Sequence, residues 1–124
     1  MIFGIGTDIA QVSRFEKWVT NTEMMKRFFN EKEYSDSGTI AARCQHAAAR
    51  FAAKEAFSKA LGTGLCGFSL NEVYVTNNSN GKPELNVEGA AFELLKNICG
   101  ECSVHLSLSH EKEYAVAFVI IECS

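Results

Sequence analysis

With 124 residues, of which 47% are hydrophobic, the chain has enough apolar material for one small core and too little for two. Its formal net charge of -3 excludes the global basic field that drives nonspecific nucleic-acid binding, so an acidic partner has to be met by a local basic patch. We therefore expect a single domain over residues 1–124.

The chain carries no sign of a membrane or an oxidising compartment. No apolar run approaches the ~20 residues that cross a bilayer, and Met1 leads straight into a strand-like segment without a charged leader. The five cysteines, an odd number spread along the chain, are typical of reduced core thiols rather than of a disulfide framework. We expect a cytoplasmic protein with no membrane or nucleic-acid partner.

The first segment alternates apolar residues with small or polar ones, which predicts a strand over residues 2–9 with Asp8 near its end. Two glycines inside so short a strand, Gly4 and Gly6, predict the close approach of another backbone or of a ligand. Ser13 and Glu16 have the spacing of a capping box, which predicts a short helix over residues 14–19.

Two further helical segments are expected before a loop at residues 35–38. Thr22 is the expected cap of one segment, which carries Met24, Met25, Phe28 and Phe29. Asn30 is the expected cap of the other, near residues 31–34.

The most regular stretch of the chain is an alanine-rich helix. Good helix formers run unbroken over residues 40–61, and two glycines, Gly62 and Gly64, then end the helix. At about 100° per residue, small and apolar side chains gather on one side, with Glu55 and Lys59 on one edge. The other edge carries Arg50, Lys54 and Ser58. Taken alone, Glu55 and Lys59 predict an ordinary surface ion pair worth only ~0.3 kcal/mol.

The second half of the chain predicts two pairs of strands separated by a helix. Strands are expected over residues 70–76 and 84–87 around an Asn80-Gly81 turn, a helix over 90–98, and strands over 103–109 and 114–121. The last strand is apolar on both faces and should therefore be central. This order of elements predicts an α+β fold, in which an antiparallel sheet packs against a long central helix.

Two acidic residues are candidates for binding a metal ion. Asp8 and Glu55, with open positions for water and phosphate oxygens, are the kind of ligands that Mg²⁺ prefers. Lys59 lies one turn beyond Glu55 and could hold a phosphate, while His110 at a strand end could donate to another phosphate or carry a proton. The residues alone leave alternatives open, since Asp8 could be a strand-end cap and His110 an ordinary surface histidine.

Three weaker motifs favour structural roles. Cys99 and Cys102 form a C-x-x-C pair, but they follow a helix C-terminus, where the dipole disfavours a thiolate, and no second ligand pair for zinc accompanies them. The glycine loop Gly62-Thr63-Gly64 closes a helix rather than opening one. Ser107 and Ser109 lack a G-x-S-x-G elbow, which argues against serine hydrolase chemistry.

Four blocks, in this order and spacing, resemble the holo-[acyl-carrier-protein] synthases of the 4′-phosphopantetheinyl transferase superfamily. They are Gly4-Ile5-Gly6-Thr7-Asp8-Ile9 with Arg14, the fifteen residues from Arg50 to Gly64, Gly81-Lys82-Pro83, and Ser107-Leu108-Ser109-His110 with Tyr114-Ala115. The resemblance spans nearly the whole chain, although residues 18–44 match the family in the types of residue more than in their identities.

The resemblance implies transfer of 4′-phosphopantetheine from coenzyme A to a serine of an apo acyl carrier protein, in support of fatty acid biosynthesis. Adenosine 3′,5′-bisphosphate is released. It implies that Asp8 and Glu55 bind Mg²⁺, whose charge, with the ammonium of Lys59, neutralises the phosphate oxygens during attack. Glu55, directly or through a metal-bound water, is the candidate for accepting the serine proton.

The resemblance also implies how substrates and subunits meet. Arg50 and His110 are expected to contact coenzyme A phosphates, while Gly62, Thr63 and Gly64 and the turn at Pro83 line the nucleotide cleft. Enzymes of this short type are homotrimers with active sites between subunits, so His110 or Pro83 is expected to face a neighbour's Asp8 and Glu55. Docking of the acidic carrier is expected at Arg14 and Lys17, with Lys26 and Arg27 nearby and Met24, Met25 or Phe28 as apolar contacts.

Two other functions use the same residues. A Mg²⁺-dependent coenzyme A or nucleotide pyrophosphatase would need the same metal site, with water as the nucleophile. A noncatalytic carrier-protein or nucleotide binding module would need only the binding surface, and the joint presence of Asp8, Glu55, Lys59 and His110 argues against it.

Overall fold

The structure is a computed structural model and describes residues 1–35 and 38–124. Its strands are β1 (Ile2–Gln11), β2 (Val73–Asn77), β3 (Pro83–Val87), β4 (Cys102–His110) and β5 (Tyr114–Cys123). Its helices are α1 (Glu16–Val19), α2 (Thr22–Phe28), α3 (Ile40–Leu61) and α4 (Gly89–Cys99). Short 3₁₀ turns cover Val12–Phe15, Glu31–Glu33 and Leu70–Glu72. The loop expected at residues 35–38 includes Asp36 and Ser37, which lie outside the described residues.

Three strands form an antiparallel sheet in the order β1, β5, β4. The apolar strand β5 is central, as its composition predicted, and its residues Val119 and Ile121 are fully buried on the face that packs against α3. Strands β2 and β3 form a separate two-stranded antiparallel sheet rather than joining the first. The α+β class and the long central helix are confirmed.

Helix α3 has the predicted bounds. Its N-terminus is capped by Thr39, whose hydroxyl accepts from the Ala42 amide at 3.0 Å. Its C-terminus is closed by Gly62, which adopts a φ of 87° that only glycine accepts readily and donates its amide to the Ser58 carbonyl. The glycine loop therefore stops the helix, as its position indicated.

Strand β1 crosses α3 at backbone contact distance. A Cβ added at Gly4 would collide with the Ala60 carbonyl, and one added at Gly6 would collide with the Ala56 carbonyl. Ala56 is itself fully buried, so the helix offers the smallest side chain at the point where the strand offers none. The two glycines mark the approach of another backbone, which was one of the two expected reasons.

Two cap predictions near the N-terminus are wrong. Ser13 does not cap a helix but lies within the first 3₁₀ turn, because the preceding Val12 amide is still bonded to the Glu113 carbonyl at 2.8 Å and holds the chain to the sheet. The α-helix then begins only at Glu16. The cap of α2 is Asn21, whose side chain accepts from the Met24 amide, rather than Thr22.

The third cap prediction is confirmed. Asn30 and Glu33 form a reciprocal capping box around the second 3₁₀ turn. Within the ranges that the structure describes, no helix is long and apolar enough to cross a bilayer.

Candidate active site

Asp8 and Lys59 meet where β1 crosses α3. Lys59 Nζ donates to Asp8 Oδ1 at 3.1 Å and to the Thr7 carbonyl at 3.0 Å. The Asp8 side chain is 19% exposed and that of Lys59 is 54% exposed, so the pair lies at the rim of the core. The ordinary ion pair expected between Glu55 and Lys59 is absent from the described residues, because the ammonium turns to the strand instead.

Glu55 lies beside this pair. Burial raises the pKa of Glu55, and the neighbouring Asp8 carboxylate raises it further, while the charges of Lys59 and Arg14 oppose the rise. Lys59, which bonds Asp8, lies one turn beyond Glu55 on α3, so the two carboxylates lie at the same crossing although residues 8 and 55 are far apart in sequence. The structure therefore brings together the acids that the sequence singled out.

The two carboxylates suit a hard divalent cation. Both are half-buried oxygen donors whose like charges repel until a cation lies between them. Among the described residues, no group of three or more histidine, cysteine or acidic side chains could hold a metal. A cation at Asp8 and Glu55 would therefore take its other ligands from water and substrate oxygens, which is how Mg²⁺ is usually bound.

A second cluster of basic groups lies nearer the N-terminal half of α3. Arg50 donates from Nη2 to the Asn77 side chain at 3.4 Å, at the end of β2. Arg50 Nε is buried and has no hydrogen-bond partner among the described residues. Burial lowers the pKa of His46, and the nearby charges of Arg50 and His110 lower it further. Asn77 pairs with Pro83 across the β2–β3 hairpin. Arg50 thus reaches the end of the hairpin that carries Pro83, and the charge of His110 acts on the neighbouring His46.

The two clusters lie on different sides of one helix. Arg50 and Glu55 are five positions apart on α3, which separates them by about 140° around the axis and about 7.5 Å along it. The loop at Gly62 and Gly64 lies at the Glu55 end of the helix, and a Cβ at either glycine would meet open space. The expected phosphate residue Arg50 and the acidic cluster at Glu55 therefore do not form one closed cleft within the described chain.

The expected docking residues differ in their surroundings. The guanidinium of Arg14 lies 5.1 Å from the ring centre of Phe51 and 5.6 Å from those of Phe15 and Trp18, so its carbon stem and charge are held over an aromatic cluster. Its charge also lowers the pKa of Glu55, which places it at the margin of the acidic cluster. Lys17 is exposed on α1.

The C-x-x-C pair has a third companion that spacing did not indicate. Cys102 and Cys123 are direct partners across β4 and β5, and Cys123 lies 3.5 Å from the Cys99 carbonyl. Burial raises the pKa of Cys99 to about 11, helped by the other two cysteines. Burial also raises the pKa of Cys102, so the thiols of the C-x-x-C pair are poor nucleophiles, which agrees with the structural role expected for them.

A buried ion pair next to the site was not predicted from the sequence. Lys54 and Glu33, both with fully buried side chains, are joined by a 2.6 Å hydrogen bond between Nζ and Oε1. The same Glu33 has a main-chain carbonyl that accepts from His46 Nε2 at 2.8 Å. The capping-box spacing of Asn30 and Glu33 was the one available signal, but it pointed to a local cap and not to a partner on α3.

Comparison with known proteins agrees with the geometry. The family model of the 4′-phosphopantetheinyl transferase superfamily matches residues 4–119. A holo-[acyl-carrier-protein] synthase of Treponema denticola is 51% identical over 124 residues, covering 98% of this chain and 99% of the relative. The synthase of Treponema pallidum is 47% identical over 122 residues, covering 98% and 97%.

Solved structures show the same fold. A crystal structure of the synthase from Bacillus anthracis in complex with CoA (3′,5′-ADP) is 40% identical, with a TM-score of 0.80 over 100% of this chain and 99% of that one. The synthase from Plasmodium yoelii is 30% identical, with a TM-score of 0.85 over 100% and 97%. By sequence and by fold, the chain belongs to the 4′-phosphopantetheinyl transferase superfamily, among its holo-[acyl-carrier-protein] synthases.

Proposed function

We propose that this chain transfers 4′-phosphopantetheine from coenzyme A to a serine hydroxyl of apo acyl carrier protein, at a site built on Asp8, Glu55 and Lys59. Full-length relatives named for this activity support the reaction. The observation that carries the assignment of the site is the meeting of two carboxylates and an ammonium where β1 crosses α3. Adenosine 3′,5′-bisphosphate is the other product.

We assign Mg²⁺ to the carboxylates of Asp8 and Glu55. When bound, the ion neutralises charge on the pyrophosphate oxygens of coenzyme A and makes the phosphorus easier to attack. Lys59, which is half exposed and held by only one carboxylate oxygen and one carbonyl, is free to move its ammonium to a phosphate oxygen. The chain thereby supplies oxygen ligands for the ion and a positive charge for the substrate.

We assign the general base to Glu55. The carboxylate of Glu55 is half-buried beside Asp8, where it can accept a proton from a substrate hydroxyl that reaches the site. Its carboxylate can take the proton from the serine hydroxyl as the oxygen attacks the β-phosphate. The bond from that phosphorus to the bridging oxygen then breaks, and the electron pair leaves with adenosine 3′,5′-bisphosphate.

We assign the coenzyme A phosphates to Arg50 and His110, with Pro83 and the Gly62-Thr63-Gly64 loop lining the nucleotide. The buried, unpartnered Nε of Arg50 supports this, because a buried donor normally finds an acceptor and an anion would provide one. The Arg50 guanidinium also reaches the hairpin at Asn77, which puts a positive charge where phosphate oxygens would bind.

We propose a homotrimer in which each active site combines two subunits. Within one chain, the Arg50 half-site lies on a different side of α3 from Glu55. The outer face of the three-stranded sheet is also apolar and open, with Ile5 64%, Ile9 62% and Phe118 50% exposed. So large an unpartnered apolar face is typical of a subunit interface. The His110 of one subunit would then complete the site at Asp8 of the next.

One incubation tests the reaction. The protein is mixed with Mg²⁺, coenzyme A and an apo carrier, and the carrier is weighed. A mass increase by one phosphopantetheine group is the expected result. Cleavage of coenzyme A without carrier modification would support the pyrophosphatase instead, and an intact coenzyme A with an unchanged carrier would exclude both enzymes. Asp8→Asn and Glu55→Gln are expected to lose turnover while unfolding close to the wild-type temperature, because each relieves repulsion between the carboxylates and Asp8→Asn gives up only a partly exposed ion pair with Lys59.

Subunit mixing tests the shared site. Asp8→Asn and His110→Ala are expected to be inactive alone and active when coexpressed, because roughly a quarter of the interfaces in random mixtures join two intact half-sites. Wild-type chains coexpressed with the Asp8→Asn variant serve as the positive control for mixing. A mixed trimer without recovered activity would place both residues in one subunit's site.

A cytoplasmic location, a single domain over residues 1–124 and a role in fatty acid biosynthesis remain predictions of the same proposal.

A further inference from the structure

The pair formed by Glu33 and Lys54 is the most deeply buried charged contact in the described chain. Each side chain has no exposed surface, and the two are joined at 2.6 Å. Burial lowers the pKa of Lys54, while the charge and hydrogen bond of Glu33 raise it. Removing two charges from water is costly, and apolar side chains of similar size often serve stability equally well. Stability alone therefore does not explain the pair.

The pair's hydrogen bonds are directed at one segment of backbone. Lys54 Nζ donates to the Val73 carbonyl at 2.6 Å and to the Leu70 carbonyl at 3.1 Å. Glu33 Oε2 accepts from the Val75 amide at 2.9 Å, and its other oxygen also accepts from the Asn30 amide. Alternate residues of β2 are thus tied to α3 through a single ion pair.

That segment leads directly to the proposed phosphate site. Strand β2 ends at Asn77, which accepts from Arg50 and pairs with Pro83. Arg50 lies one helical turn before Lys54 on α3. The distance between Arg50 and the β2–β3 hairpin, which are the two walls of the proposed nucleotide cleft, is therefore set at Lys54.

Glu33 reaches the same cluster by a second route. Its carbonyl accepts from His46 Nε2, so the hydrogen stays on that nitrogen and the ring has a fixed orientation. His46 lies one turn before Arg50, and both Arg50 and His110 are close enough for their charges to act on it. One carboxylate residue thus orients the hairpin through its side chain and His46 through its backbone.

We propose that Glu33 and Lys54 are positioning residues for coenzyme A, which hold the β2–β3 hairpin and Arg50 at the separation that the nucleotide phosphates require. This rests on the proposed function of Arg50. Neither side chain touches substrate, because both are fully buried behind the cluster. The pair therefore governs binding of the nucleotide and leaves the reacting groups at Asp8 and Glu55 unchanged.

The double variant Glu33→Gln/Lys54→Met separates positioning from folding. It removes both charges together, keeps an oxygen acceptor for the Val75 amide and retains the side-chain volume, but it leaves the Val73 and Leu70 carbonyls without the Lys54 donor. The protein is therefore expected to fold, with an unfolding temperature below that of the wild type. The KM for coenzyme A is expected to rise about tenfold, because binding groups that are slightly misplaced hold the substrate less tightly. The kcat and the KM for the carrier are expected to stay within about twofold of the wild-type values. The matched control is Glu93→Gln/Lys96→Met, the same chemical change at two exposed positions of α4.

Two outcomes would overturn the proposal. A wild-type KM for coenzyme A in the double variant would show that the pair is dispensable for positioning. A joint change of kcat and both KM values in step with a lowered unfolding temperature would show a role in folding only. If the double variant does not fold, Glu33→Asp, which keeps both charges and shortens the reach of the carboxylate by one methylene, is measured by the same criteria.

A binding measurement keeps this test separate from that of the reaction. The dissociation constant of adenosine 3′,5′-bisphosphate, measured by calorimetry on the full-length protein, is expected to rise in the double variant and not in the control. If the wild type bound the nucleotide but did not modify the carrier, the transferase proposal would fail while positioning was still tested. If both variants bound the nucleotide as tightly as the wild type, positioning would fail whatever the reaction.

Discussion

Replacing Gly6 by alanine should disable catalysis from the back of the active site. Gly6 lies two residues before Asp8 on β1, and its Cα faces the backbone of α3. An added Cβ would lie 2.7 Å from the Ala60 nitrogen and 2.9 Å from the Ala56 carbonyl carbon, and closer still to the Ala56 oxygen. These are backbone atoms of a buried helix, so no side chain can rotate away.

The geometry gives the size of the effect. Ordinary contact begins at 3.4 Å, so the strand has to retreat by at least 3.4 minus 2.7, or 0.7 Å, from α3. Overpacking of this kind costs about 1–3 kcal/mol, which lowers the unfolding temperature of a chain of this size by about 4–12 °C. Asp8 moves with the strand while Glu55 stays on the helix. A misplacement of about 1 Å lowers turnover about 100-fold, so we expect a loss of tens-fold or more in kcat/KM.

The assay compares carrier modification and thermal unfolding for Gly6→Ala and a control, Gly100→Ala. Gly100 has a φ of 68°, which strains alanine at a cost of about 1 kcal/mol or more, and no atom lies near its added Cβ. The control should therefore lose stability and keep its kcat. Gly6→Ala with wild-type kcat, or an equal loss of kcat in both variants, would refute the reasoning that the crossing of β1 and α3 positions Asp8.

Three other outcomes follow from the site and the thiols. The pKa of Glu55 is raised by burial and by Asp8, so protons compete with Mg²⁺ for this carboxylate. The affinity of the site for Mg²⁺ should therefore fall as the pH drops through the raised pKa. Calorimetry in which Mg²⁺ binding weakens only below about pH 4 would contradict this. Arg14→Glu should raise the KM for the carrier at least about fivefold and leave that for coenzyme A unchanged, and an unchanged carrier KM would place docking elsewhere. Iodoacetamide at neutral pH should modify the exposed Cys66 and spare Cys99, whose pKa is about 11, and peptide mapping that finds the two equally labelled would contradict the burial of the second thiol.

Local patterns predicted most of the fold. The bounds of α3 followed from helix formers and the glycines that end them, and the central place of β5 followed from its apolar faces. The crossing of β1 and α3 was predicted only in part, because glycines in a strand indicate that another group approaches closely but do not identify that group. The caps at Ser13 and Thr22 failed because several polar residues compete for each cap, and tertiary bonds such as that from Val12 decide between them.

The site was predictable only in part, since its electrostatics depend on contacts between distant segments. Asp8 and Glu55 could be named as candidate ligands from residue type, but the turn of Lys59 towards Asp8 depends on how closely β1 lies on the helix. Lys54 was invisible for a stronger reason. The sequence does not distinguish a buried lysine from an exposed one. The burial of Lys54 depends on Glu33, which lies in a short turn 21 positions earlier in the chain.

The two polar edges of α3 differ in their exposure to solvent, and we expect them to differ in function. The edge with Glu55 and Lys59 stays at the solvent rim, where charges can exchange partners during a reaction. The edge with Lys54 is sealed beneath β2, where the same kind of charges is locked into fixed hydrogen bonds. Small residues between these edges let the glycines of β1 reach the helix backbone, so the carboxylate of the strand arrives beside that of the helix. A bulkier helix face would keep both edges and lose the meeting of Asp8 with Glu55, which is why we place the alanines among the determinants of activity.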